Sequence, residues 1–82
     1  MDYVIIKEHD HGFMGHVKKV LCDPPTTWHT MMKDPDGIIA MEHEELKKAK
    51  ASNDIKSWRE NLVHLAAACA YAEKYYESVS DK

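Results

Sequence analysis

Five residues in the second half of the chain have types and spacing that could do chemistry: Glu42, Glu45, Glu60, Asn61 and His64. Glu42 and Glu45 stand three apart, which on a helix sets both carboxylates on one face. Carboxylates so placed repel each other, and a divalent cation or a cationic partner relieves the repulsion. Glu60, Asn61 and His64 interrupt an apolar stretch further along. Glu45 lies about eight residues before a predicted tight turn and Glu60–Asn61 about seven after it. At ~1.5 Å per residue, both levels fall roughly 10–12 Å from that turn. Glu42, Glu45, Glu60 and His64 would then offer oxygen and nitrogen ligands from two facing helices, a metal site of the carboxylate-bundle kind. Plainer readings stand beside this one. A Glu-x-x-Glu pair near Lys47, Lys48 and Lys50 also describes a solvated helix face. A histidine in an apolar run also describes a core side chain hydrogen-bonded to a neighbour.

Other candidates carry less. His9, His11 and His16 could bring three imidazoles together, but no cysteine stands beside them and zinc-finger spacing is absent, so a solvated polar loop is the expectation. Tyr71 and Tyr75, one helical turn apart, could line an interface or a nucleobase pocket, whereas Trp58 and Tyr76 fall on an apolar stripe and read as packing. Cys69 sits among alanines without a base beside it, which is the setting of an inert thiol. No nucleophile elbow, phosphate loop or dinucleotide fingerprint is present.

The elements that must position these residues follow from local signals. Tyr3–Ile6 is a short β-prone run, followed by polar loop. Phe13, Met14, Val17, Val20 and Leu21 have the spacing of a short amphipathic helix, which Asp23-Pro24-Pro25 stops. Thr26 or Thr27 could cap a helical turn through Trp28. Asp34-Pro35 is an N-cap and first-position pair, opening a helix to about Ala51 in which Ile39, Glu42, Leu46 and Ala49 form the inward row. Ser52-Asn53-Asp54 breaks it and caps a last helix from about Asp54 to Val79. There Ile55, Trp58, Leu62, Leu65, Cys69, Ala72, Tyr76 and Val79 alternate by threes and fours, predicting the core stripe. Val63, Ala66, Ala67 and Ala70 make a second apolar face. The expected fold is mainly α: one domain over 1–82, with an irregular segment over 1–33 and an antiparallel helical hairpin over 34–79. Dimerisation through the Ala-rich face would complete the hairpin to a helix bundle.

Composition narrows the function classes. The 82 residues carry 11 basic and 14 acidic side chains, a net charge of −3. That lacks the basic footprint of a nucleic-acid or anionic-membrane binder. The longest apolar run, Leu62 to Ala72, is broken by His64 and is too short to span a bilayer. The first residues lack the charged start and cleavage site of a signal peptide. Two cysteines, Cys22 and Cys69, make no disulfide framework and suit a reducing, cytoplasmic setting.

Ile39-Ala40-Met41-Glu42-His43-Glu44-Glu45-Leu46-Lys47-Lys48-Ala49, then Trp58-Arg59-Glu60-Asn61-Leu62-Val63-His64-Leu65-Ala66-Ala67, resembles the MazG-like all-α NTP pyrophosphatases over about Ile38 to Tyr76. That family carries Glu-x-x-Glu on one helix and Glu-x-x-Asp on the next, which together bind Mg²⁺ and hold the triphosphate while water attacks. Glu42 and Glu45 match the first motif. In the second, Asn61 stands where the family has Glu and His64 where it has Asp. The resemblance implies nucleotide binding and, in an active chain, hydrolysis between the α- and β-phosphates. Glu42 and Glu45 would then be catalytic, with the metal on Glu42, Glu45 and either His64 or Glu60. Exchanging two carboxylates for Asn and His takes the site's formal charge from about −4 to −2, which weakens Mg²⁺ and favours a softer ion such as Mn²⁺ or Zn²⁺. Two further readings follow: a degenerate relative that binds nucleotide without turnover, and a small acidic helical interaction module that inhibits or bridges a protein partner.

Overall fold

Four helices follow one another in a computed structural model that describes residues 12–80: α1 (Gly12–Cys22), α2 (Thr26–His29), α3 (Pro35–Ala51) and α4 (Ile55–Ser80). The chain is mainly helical, with no strand among the described residues. The strand expected over Tyr3–Ile6, and His9 and His11 with it, lie outside the described residues.

Both ends of α3 and the start of α4 have local causes. Asp34 caps α3, its carboxylate accepting the Gly37 N–H at 3.1 Å while Pro35 occupies the first turn. This satisfies one of the orphan donors that every helix N-terminus exposes. Gly37 leaves room for this cap, because a β-carbon at that position would push the Asp34 carboxylate aside. At the other end, Asn53 N–H donates to the Lys50 carbonyl at 3.1 Å and Asp54 N–H to that of Ala49 at 2.9 Å. This double closure is a Schellman motif, and Asn53 adopts the left-handed conformation it needs, with φ of 59°. Asp54 then opens α4, accepting the Ser57 N–H at 3.1 Å and the Ser57 O–H at 2.9 Å.

α3 and α4 lie side by side, and later residues of α4 meet earlier ones of α3. His64 stands against Glu42, and Tyr76 against Asp36. The core gathers Val17 from α1, Trp28 from α2, Ile38 from α3, and Val63, Ala67 and Ala68 from α4. Trp28, Ile38, Ala67 and Ala68 have no solvent exposure at all.

The rotational setting of α4 differs from the expected one. Val63, Ala67, Ala68 and Ala72 are its buried residues. Of the aliphatic and aromatic stripe expected to form the core, Ala72 alone is buried. Trp58, Leu62 and Leu65 are half-buried, and Ile55, Cys69, Tyr76 and Val79 are exposed. The helix is thus turned by roughly a third of a revolution from the predicted setting. Two physical causes act together. Small side chains let α1 and α3 approach the α4 backbone closely, so that Val17, Trp28 and Ile38 fill the space. The inward setting also gives the polar atoms of α4 their partners: Tyr71 O–H donates to the Met32 carbonyl at 2.5 Å, and His64 reaches Glu42. The alanine side, expected to be the dimer surface, is therefore used within the chain.

Candidate functional site

Glu42 is the one charged side chain buried among the described residues, with 4% of its surface exposed. It sits in the inward row of α3, as its spacing with Ile39, Leu46 and Ala49 predicts. Its two oxygens have separate partners. Trp28 Nε1–H donates to Oε1 at 3.1 Å, and His64 Nδ1 stands 3.4 Å from Oε2. A carboxylate taken out of water survives only when hydrogen-bonded or paired. Here the indole from α2 supplies that hydrogen bond, with the imidazole from α4 standing beside the other oxygen. No buried side-chain nitrogen or oxygen among the described residues is left without a partner.

Glu42 and His64 are thus brought together, each eleven residues from Asn53 along its own helix. The other expected ligands are not brought to them. Glu45 is exposed on α3, with Lys48 at 4.0 Å. Glu60 is exposed on α4, and Asn61 is half-buried. Glu44, also exposed, is held below the usual carboxylate range by a hydrogen bond from Lys47 and by that lysine's charge, the pair standing 3.0 Å apart. This part of α3 is a solvated face laced by exposed ion pairs at i,i+3 spacing.

The donor set decides whether a metal fits. Mg²⁺ requires near-octahedral oxygen ligation, and Mn²⁺ likewise takes several oxygen or nitrogen donors. No group of three or more His, Cys, Asp or Glu side chains stands together for a metal among the described residues. One oxygen of Glu42 is taken by the Trp28 N–H, and His64 stands against the other. These residues do not fit a bound Mg²⁺ or Mn²⁺ in this arrangement. His16 is exposed on α1, away from any such group.

Comparison with protein-family models, with curated proteins and with solved structures gives no match. The reading of the site accordingly rests on its own geometry.

Trp28 is the functional neighbour that the sequence did not reveal. Its element is four residues long and lies fourteen residues from Glu42. Nothing in that local pattern specifies a partner in α3. The aromatic cluster at the end of α4 has a clearer signal, because Tyr71, Tyr75 and Tyr76 lie within one and a half turns. Tyr75 packs between the other two, with ring centroids 6.2 Å from Tyr71 and 5.4 Å from Tyr76. Tyr76 donates its O–H to Asp36 at 3.1 Å, and that hydrogen bond and carboxylate hold the phenol above its usual range. No helix among the described residues is long and apolar enough to cross a membrane.

Proposed function

We propose that the chain is a small helical interaction module of the cytoplasm, which acts through contact with other protein chains. In this reading the outer side of α4 closes on a second copy, and the α3–α4 hairpin is completed to a helix bundle. The observation that carries it is the rotational setting of α4. Alanines face inward while Ile55, Trp58, Leu62, Leu65, Tyr76 and Val79 are left half-buried or exposed. Large apolar side chains aligned along one helix edge are the surface pattern of a protein–protein contact. The engagement of Glu42 by Trp28 and His64 supports the same reading, since it makes this carboxylate a structural tie.

The rival reading is a metal-dependent NTP pyrophosphohydrolase with Glu42 and Glu45 catalytic and Mg²⁺ or Mn²⁺ on Glu42, Glu45, Glu60 and His64. Its one structural support is the meeting of Glu42 and His64. Thermal melts with nucleotides, each with and without Mg²⁺ or Mn²⁺, separate the two when paired with sedimentation over a range of protein concentrations. A ligand at a hundred times its dissociation constant adds about 2.7 kcal/mol of stability. The interaction reading expects no metal-dependent nucleotide shift and a mass that doubles with concentration. A nucleotide shift in a chain that stays monomeric would replace it with the hydrolase.

A further inference from the structure

We infer that α4 pairs with α4 of a second copy in an antiparallel two-fold seam, its register set by Arg59 of each chain against the partner's Glu73. This rests on the interaction reading above and deepens it by fixing the partner, the orientation and the register.

The stripe is built from two interleaved heptad rows. Ile55, Leu62, Cys69 and Tyr76 recur every seven residues, as do Trp58, Leu65, Ala72 and Val79. Such rows are the seam of a coiled coil. Reversal about Ala67 exchanges one row with the other: Leu65 and Cys69 are each two residues from it, and Trp58 and Tyr76 each nine. A two-fold axis at Ala67 therefore sets every residue of one row opposite a residue of the other. Leu65 meets the partner's Cys69, and Trp58 meets the partner's Tyr76.

Charge selects this orientation. Between Asn61 and Ala72 α4 has no Asp, Glu, Lys or Arg. Outside that stretch, exposed Arg59 and Glu73 are separated by two whole heptads, so both lie on the same edge of the stripe. Exposed Lys56 and Glu77, three heptads apart, stand one step further round. In each pair the sign reverses from the first half of the helix to the second. Antiparallel packing about Ala67 brings Arg59, eight residues from the axis, alongside the partner's Glu73, six residues from it, twice by symmetry. Glu77 is held by Lys74 of its own chain at 3.4 Å. Parallel packing in register would face this edge with the other edge of the partner helix, where Glu73 meets Ala68 and Tyr75 and finds no cation. Glu60 and Lys74 lie on the side away from the seam, where Lys74 pairs with Glu77 of its own chain.

The test uses the whole chain with Cys22→Ser, so that Cys69 is the single native thiol. Leu65→Cys places a second thiol opposite the partner's Cys69, and oxidised glutathione should link the chains into a covalent dimer. Adding Cys69→Ser should abolish that link. In parallel, sedimentation equilibrium on the surface variants Arg59→Glu and Glu73→Arg should show dissociation constants raised about tenfold, each losing two pairs and gaining two repulsions. The double variant should return to within about threefold of the wild type. Circular dichroism checks that every variant keeps its helices, and the charge variants carry the test if Leu65→Cys does not fold. Dimerisation without recovery in the double variant, or without the Leu65→Cys link, overturns the register and leaves the interaction reading standing. A chain that stays monomeric and shifts with nucleotide overturns both.

Discussion

Trp28 and Glu42 are joined by a buried hydrogen bond of 3.1 Å between a four-residue helix and the middle of α3. The bond ties the connection before α3 to the interface between α3 and α4, because the other oxygen of Glu42 faces His64. A single carboxylate thus fixes three elements relative to one another.

Removing that carboxylate leaves the Trp28 N–H buried with no acceptor. Glu42→Ala should cost about 1–3 kcal/mol for the orphaned donor, in addition to the space it empties. Glu42→Gln keeps an acceptor at the same reach and should cost less. Urea unfolding of the two variants gives the comparison, and equal losses would mean that the indole bond contributes nothing.

Ile38 has no exposed surface and belongs to the core, whereas Leu65 is half-buried outside it. Ile38→Ala should therefore cost about 2–5 kcal/mol at any protein concentration. Leu65→Ala should cost less than Ile38→Ala in dilute solution, and its effect should grow as concentration rises. Chemical denaturation at two concentrations checks this; a concentration-independent loss as large as that of Ile38→Ala would put Leu65 in the core.

Gly37 and Asp34 are predicted to be coupled. Alanine is favoured over glycine in a helix by about 1 kcal/mol. At Gly37 its methyl group displaces the Asp34 carboxylate, and a lost cap costs about 0.5–2 kcal/mol. Gly37→Ala should accordingly bring no gain in the wild type and a gain of up to ~1 kcal/mol once Asp34→Ala has removed the cap. Thermal melts of the four proteins in that cycle measure the coupling, and additive effects would contradict it.

Asp54 governs part of the acid response. Hydrogen bonds from the Ser57 N–H, and then from the Ser57 hydroxyl, hold its carboxyl below the usual range. A depressed folded-state value means that its contribution is complete above the unfolded value near 4 and is lost as pH falls through the lower folded one. Asp54→Asn should flatten the stability profile in that window while leaving its shape at neutral pH unchanged. Denaturation midpoints taken from pH 2 to 7 give the comparison, and parallel acid limbs would exclude this role.

Helix ends were legible because their causes are local. Asp34-Pro35, Ser52-Asn53-Asp54 and Asp23-Pro24-Pro25 each act through atoms within a few residues, and the helices begin and end beside them. Glu42's inward place was legible from its row. The count to the turn, however, set Glu45 opposite Glu60 and Asn61, and the pair that meets is Glu42 and His64, one turn further from it. The face that α4 buries was not. Large apolar residues dominate a pattern read along one helix, but alanines win where neighbouring helices can come close and polar side chains need partners on that side. Trp28 was hidden for a different reason: its partner is set by the packing of three elements, and no local spacing encodes it.

The three-residue passage from α3 to α4 also bears on the order of folding events. Closing so short a connection costs little chain entropy, so this pair of helices can assemble on the microsecond scale of local structure. Val17 meets α4 across a much longer intervening chain, and that docking forms more slowly. The Trp28–Glu42 bond closes only fourteen residues, so it belongs with the early local contacts and sets the turn of α3 before α1 packs down.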